Sequence, residues 1–172
     1  SMSEDNFWTD ERNAELALTA CYRGGITNGL EYNVSDFWSY HGMLFMEHLT
    51  DNAFDRRGEN NPFFQISSGQ LLNSNSFIQN YWRSAYNRIG KCNRFLEGIE
   101  SGADFTDRAR MIAEVRFLRA TQYHYLASYF KDVPLVTTPL TGEEANNVKK
   151  ETQANILACV SFFTLLASSP VS

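Results

Sequence analysis

The chain has 172 residues, with 15 Lys and Arg against 20 Asp and Glu, a net charge of −5 and a hydrophobic fraction of 43%. That length fits a single domain able to bury a core without disulfides or metal, and the composition excludes wholesale disorder. The acidic balance argues against a nucleic-acid backbone as partner. Cys21, Cys92 and Cys159 are odd in number and form no C-x-x-C pair, so they read as buried free thiols. No metal ligand set is visible, and no cofactor is expected. The first residues carry neither the basic nor the apolar region of a secretion signal. Ser1 ahead of Met2 reads as a cloning scar on a piece of a longer precursor.

In chain order, a first helix is predicted over about 10–23, with Thr9 as N-cap and Asp10 and Glu11 in the first turn. Ala14, Ala17, Leu18 and Cys21 share one side, and Gly24-Gly25 stops it. Residues 26–40 read as loop, with a short helix over 40–49 and an irregular polar stretch over 50–75. Ile78, Trp82, Ala85, Ile89, Cys92, Leu96 and Ile99 then recur at alternating steps of four and three, which predicts a helix over 76–100. Met111, Val115, Leu118, Gln122, Tyr125 and Tyr129 repeat the pattern in a second long helix, from 104 or 106 to 130. So few residues join the two that they must fold back antiparallel. Residues 131–136 read as a short extended run, followed by a loop to about 148. A last helix is predicted over 149–167. From Thr152 onward no residue is charged, which makes 158–172 an atypical tail.

Five motifs stand in order along this scaffold. They are Phe7-Trp8; Thr50-Asp51-Asn52-Ala53; Trp82, Tyr86, Ile89, Asn93 and Leu96 on one helix; Ala113-Glu114-Val115-Arg116-Phe117-Leu118-Arg119-Ala120; and Tyr129-Phe130-Lys131-Asp132-Val133-Pro134-Leu135-Val136. Over about residues 6–157 the series resembles the N-terminal part of the SusD/RagB family of outer-membrane glycan-binding lipoproteins. The resemblance implies a mostly α fold of tetratricopeptide-like antiparallel helix pairs with long irregular loops. It makes 1–172 a single SusD-like helical domain, truncated relative to the family. It further implies a lipid-anchored protein of the outer membrane and cell surface, its anchor upstream of these residues. Such a protein would take up nutrient by binding oligosaccharide and delivering it to a SusC-like, TonB-dependent transporter, without catalysis. A helical-repeat scaffold that binds a protein and no sugar is the alternative.

Sugar recognition needs planar hydrogen-bonding groups for hydroxyl pairs and an apolar face for the ring. In the 51–64 loop Asp51, Asn52, Asp55, Arg56, Arg57, Asn60 and Asn61 supply the first, and Phe54, Phe63 and Phe64, with Trp38 or Tyr40, the second. A solvated loop held by Phe anchors is the other reading of the same residues. Trp82, Tyr86 and Asn93 read as packing residues, and a buried Asn93 requires partners, expected among loop backbone groups. Glu114, Arg116 and Arg119 read as a partly buried ionic cluster, with Arg110 able to pair with Glu114 at i,i+4. His124 reads as a helix-surface or packing residue rather than a catalyst. His41, Glu47, His48, Asp51 and Asp55 match no metal-ligand spacing, and an irregular loop cannot fix the Asp51–Asp55 separation that glycoside hydrolysis needs.

Overall fold

A computed structural model describes residues 7–23, 46–70, 72–102 and 104–168. The chain forms two compact units, Ser1–Tyr22 with Arg88–Ser172, and Arg23–Asn87. The expected loop over 26–40, the Gly24-Gly25 stop and most of the 40–49 helix lie outside the described residues. The described end of that helix is a 3-10 turn, Glu47–Leu49.

In the first unit, helix α1 spans Glu11–Tyr22 and buries Ala14, Leu18 and Cys21. Its cap is Asp10 rather than Thr9. The Asp10 carboxylate accepts the Arg12 N–H at 2.9 Å, and its carbonyl accepts the Ala14 N–H at 3.1 Å. The 25-residue helix α3 runs Ser76–Glu100, as the spacing predicts, and its second half belongs to this unit. Helix α4, Arg108–Phe130, starts later than expected. It runs antiparallel to α3. Arg108 donates to the Ile99 carbonyl at 3.0 Å, Arg119 to Asn93 at 2.8 Å, and Arg88 to Gln122 at 3.2 Å. Between these helices lies a core of Ala14, Leu18, Cys21, Cys92, Phe95, Leu96, Ile99, Met111, Val115 and Leu118. Trp8 meets Phe95 edge-on at 5.4 Å. It fits because residue 98 is glycine: a Cβ there would stand 2.1 Å from the Trp8 ring.

Arg88 brings a charge against this apolar layer. Arg88 is 0% exposed, and a lone buried cation is costly. Its guanidinium donates to the carbonyls of Cys21 at 3.2 Å and Tyr22 at 3.1 Å, the last two of α1. The negative end of that helix therefore faces the buried cation. Cys21 and Cys92 are buried free thiols, whereas Cys159 is only half-buried. A hydrogen bond to Cys21 and burial push the Cys92 thiol well above its ordinary range.

After α4 the chain turns sharply at Lys131, whose φ of 61° is unusual for a non-glycine residue. Strand β1, Val133–Pro134, pairs antiparallel with β2, Lys150–Glu151, with Val133 opposite Glu151. The expected loop between them contains a short helix α5, Gly142–Asn147, set by a capping box between Thr141 and Glu144. Helix α6 spans Gln153–Ser168, four residues after the expected start, because Lys150 and Glu151 are used as strand. Asp132 accepts the Gln153 N–H at 3.0 Å, and the Gln153 side chain donates to the Ala127 carbonyl at 2.8 Å. α6 packs on α4 and buries Ile156 completely.

The second unit contains a helix where only irregular chain was expected: α2, Pro62–Ser67. Asn61 accepts the Phe63 N–H at 2.9 Å, and Pro62 pre-sets the first helical φ. Gly69, at φ 74°, closes it with Gly69 N–H to Ile66 carbonyl at 3.1 Å and Gln70 N–H to Gln65 carbonyl at 2.8 Å. Asn75 caps α3 by accepting the Phe77 N–H at 3.0 Å, and its amide donates back to Pro62 and Gln65. One buried side chain thus joins α2 to the start of α3.

Candidate functional site

The 51–64 loop is built inward from one ion pair. Asp55 is 5% exposed. It accepts the Arg57 backbone N–H at 2.8 Å, Arg57 Nε at 3.0 Å and a second guanidinium nitrogen, with His48 Nε2 at 4.0 Å. The hydrogen-bonded Arg57 side chain holds the Asp55 carboxyl down at about 2, so it stays ionised and cannot donate a proton near neutral pH. The Arg57 guanidinium lies 5.4 Å over the Phe63 ring. Phe63 is 6% exposed and packs edge-on to Phe77 at 5.1 Å. Asp55 and Phe63 therefore form the inner side of the loop.

Its outer side is different. Asp51, Asn52, Arg56, Arg57, Glu59 and Asn60 are exposed. Phe54 is 65% exposed and meets the half-buried Phe64 edge-on at 5.3 Å. Gly58, at φ 91°, turns the chain between these groups, and Gln65 ties the turn by donating to the Glu59 carbonyl at 3.1 Å. The result is an apolar pair among amide and guanidinium groups on a pinned loop. Trp38, Tyr40 and His41 lie outside the described residues. Among the described residues, no cluster of His, Cys, Asp and Glu is placed to hold a metal. Trp82 and Tyr86, also in this unit, are half-buried with ring centroids 5.0 Å apart.

In the first unit the motif residues hold a different loop. Asn93 donates to the carbonyls of Val136 at 3.0 Å and Thr138 at 3.2 Å. Arg119 bridges Asn93 Oδ1 at 2.8 Å and the Thr137 carbonyl at 2.9 Å. The Tyr123 hydroxyl donates to the Val136 carbonyl at 2.9 Å and accepts its N–H at 2.7 Å. Glu114 does not join Arg116 and Arg119 in one cluster: it lies two and five residues from them, on a different face of the helix, whereas the two arginines, three apart, line the same cleft. Glu114 accepts from Tyr22 and, at 2.9 Å, from Arg110. Burial and the Glu114 contact push the Tyr22 hydroxyl up to about 12. Arg116 lines a cleft of about 270 Å³ with Asn93, Leu96, Glu97, Glu100 and Arg119. His124 is exposed, 5.6 Å from Tyr125.

The sequence reading overlooked Arg88 and Tyr123. A signal existed for Arg88, a charged residue at a buried position of an otherwise apolar helix face. Tyr123 had none, since its role depends on a loop that returns from thirteen residues further along.

Residues 3–161 match the model of the SusD-like family, described as starch-binding and associating with the outer membrane. The chain resembles the crystal structure of a SusD-like carbohydrate-binding protein from Bacteroides fragilis NCTC 9343, with a TM-score of 0.85 and 64% identity, over 94% of this chain and 31% of that one. It is 25% identical over 141 residues to SusD-like protein P25 of Formosa agariphila, covering 75% of this chain and 27% of the relative. A SusD superfamily protein from Bacteroides vulgatus shares the fold at a TM-score of 0.77 and 23% identity, over 96% of this chain and 36% of that one. The chain thus spans roughly a third or less of the length of these relatives.

Proposed function

The chain belongs to the SusD-like family of outer-membrane-associated, starch-binding proteins, and from that premise we propose that its 51–64 loop takes part in binding a glycan at the bacterial cell surface. The family is one of binding proteins, not catalysts, and the 64%-identical relative is described as carbohydrate-binding. The observation that carries the loop assignment is the exposed Phe54, set edge-on to Phe64 on a segment pinned by Asp55–Arg57. An aromatic surface covers the C–H face of a sugar ring, and the exposed Asn52, Arg56 and Asn60 reach its hydroxyls. In this reading Asp55, Arg57 and Phe63 position the loop. Asp51 and Phe64 complete its outer face.

The full-length protein is a lipid-anchored nutrient-uptake component that hands oligosaccharide to a SusC-like, TonB-dependent transporter. This part of the proposal extends the family reading to a partner and an anchor. No described helix is long and apolar enough to cross a membrane, and attachment through a lipid is compatible with that.

The test is calorimetric titration of the folded chain, and of a chain with the full length of its relatives, against starch and laminarin oligosaccharides and host glycans. Saturable binding is expected. Phe54→Ala should weaken it about tenfold, the order of one lost aromatic contact, with the thermal midpoint unchanged. Binding that is indifferent to Phe54→Ala, Arg56→Ala and Asn60→Ala would refute the loop assignment. A full-length chain that binds no glycan but captures a protein would favour the scaffold reading.

A further inference from the structure

The cleft in the first unit has a chemistry of its own. It lies between α3, α4 and the 137–139 segment. Its depth is basic: Arg119 is 5% exposed, and Arg116, three residues earlier on the same helix, is half-buried. Burial, and further the charge of Arg116, push the Arg119 guanidinium below its ordinary range. Arg119 donates to two neutral oxygens, Asn93 Oδ1 and the Thr137 carbonyl. Among the described residues Arg116 has no hydrogen-bond or ion-pair partner. Glu97 and Glu100 line the same cleft from α3, but they are exposed and pair with neither arginine. Leu96 and Pro139 supply apolar wall.

A half-buried guanidinium beside a second cation calls for an anion, and its planar fork suits a carboxylate. The two carboxylates at the mouth call for hydrogen-bond donors. A phosphate or sulfate ion satisfies the first demand and is repelled by the second. A divalent cation meets the reverse conflict. A carboxylated sugar meets both, with its carboxylate on the arginine and its ring hydroxyls donating to the glutamates. The volume, about 270 Å³, falls just below the roughly 300–1,000 Å³ usual for ligand pockets. It holds one ring rather than a chain.

We propose that this cleft binds a single hexuronate unit, its carboxylate on Arg116 and its hydroxyls on Glu97 and Glu100. That the ligand is a sugar rests on the carbohydrate-binding reading above; that it is anionic rests on the cleft alone. It is a site separate from the 51–64 loop.

The test is titration of the chain with glucuronate and galacturonate, beside glucose, glucuronate methyl ester and glucose 6-sulfate. The uronates are expected to bind about tenfold or more tighter than glucose and the ester, with affinity falling as salt is added. Arg116→Gln should abolish the difference, and Arg116→Lys should restore part of it. Equal affinity for uronate and glucose, uronate binding that survives Arg116→Gln, or tighter binding of the 6-sulfate would overturn the proposal. The loop reading fails by a different result, neutral oligosaccharide binding that ignores Phe54→Ala. Thermal midpoints of the Arg116 variants matching the parent would exclude loss of fold as the cause.

Discussion

Tyr123→Phe is a narrow perturbation of the clamp that holds the segment after β1. The ring is 0% exposed, and phenylalanine keeps its packing, so the change removes one oxygen and creates almost no cavity. That oxygen accepts the Val136 N–H at 2.7 Å and donates to the Val136 carbonyl at 2.9 Å. The carbonyl keeps a second donor, Asn93 Nδ2 at 3.0 Å. The part-buried Val136 N–H loses its partner, which costs about 1–3 kcal/mol. For a chain of this length each kcal/mol moves the midpoint by about 2–4 °C, so a fall of about 2–12 °C is expected in calorimetric melts at pH 7. A second signature lies at alkaline pH. Burial pushes the Tyr123 hydroxyl up to about 12 from an ordinary value of 10. The folded chain therefore keeps a proton that the unfolded chain releases. That contribution is whole below pH 10 and is lost as pH rises toward 12. In the variant this part of the alkaline decline disappears. A midpoint within about 1 °C of the parent, together with an unchanged alkaline slope, would refute the clamp.

Asp55→Asn removes the ion pair that pins the 51–64 loop. The Asp55 carboxyl lies at about 2 against 3.8 ordinarily, so its contribution is present above pH 4 and is lost as pH falls toward 2. The Arg57 side chain is 53% exposed, and screening limits the effect to about 1 kcal/mol. Melts between pH 7 and 2 should show parent and variant converging in acid. Gly98→Ala should destabilise, although alanine favours a helix by about 1 kcal/mol, because the new methyl stands 2.1 Å from the Trp8 ring. Displacing that ring costs about 1–3 kcal/mol, and a raised midpoint in urea would contradict the close packing. Ile89→Asp places a charge at a site 1% exposed, at a cost of several kcal/mol. An unaltered urea midpoint would remove Ile89 from the core.

The long elements were legible because burial repeats with the helical period. Ile89, Cys92, Leu96 and Ile99 all fall on the buried face, and α3 ends where the spacing places its ends. Buried Asn93 required backbone partners, and the carbonyls of Val136 and Thr138 meet that need. Short elements were missed although their capping signals were present: Asn61-Pro62 for α2 and Thr141-x-x-Glu144 for α5. An isolated helix of one or two turns is unstable, so such signals carry weight only where tertiary contacts hold the turn.

The sequence by itself determined the helical scaffold, the antiparallel return of α4 along α3, and the family resemblance. Periodicity and motif order depend on neighbours along the chain. Only the tertiary structure decided how the charged side chains are used. Arg88 closes α1 from within the core, Asp55 and Phe63 turn inward while Phe54 turns outward, and Arg116 faces a cleft apart from Glu114. A charge's role depends on what lies opposite it, and that is fixed by distant segments: residues 21 and 22 for Arg88, and 93 and 137 for Arg119.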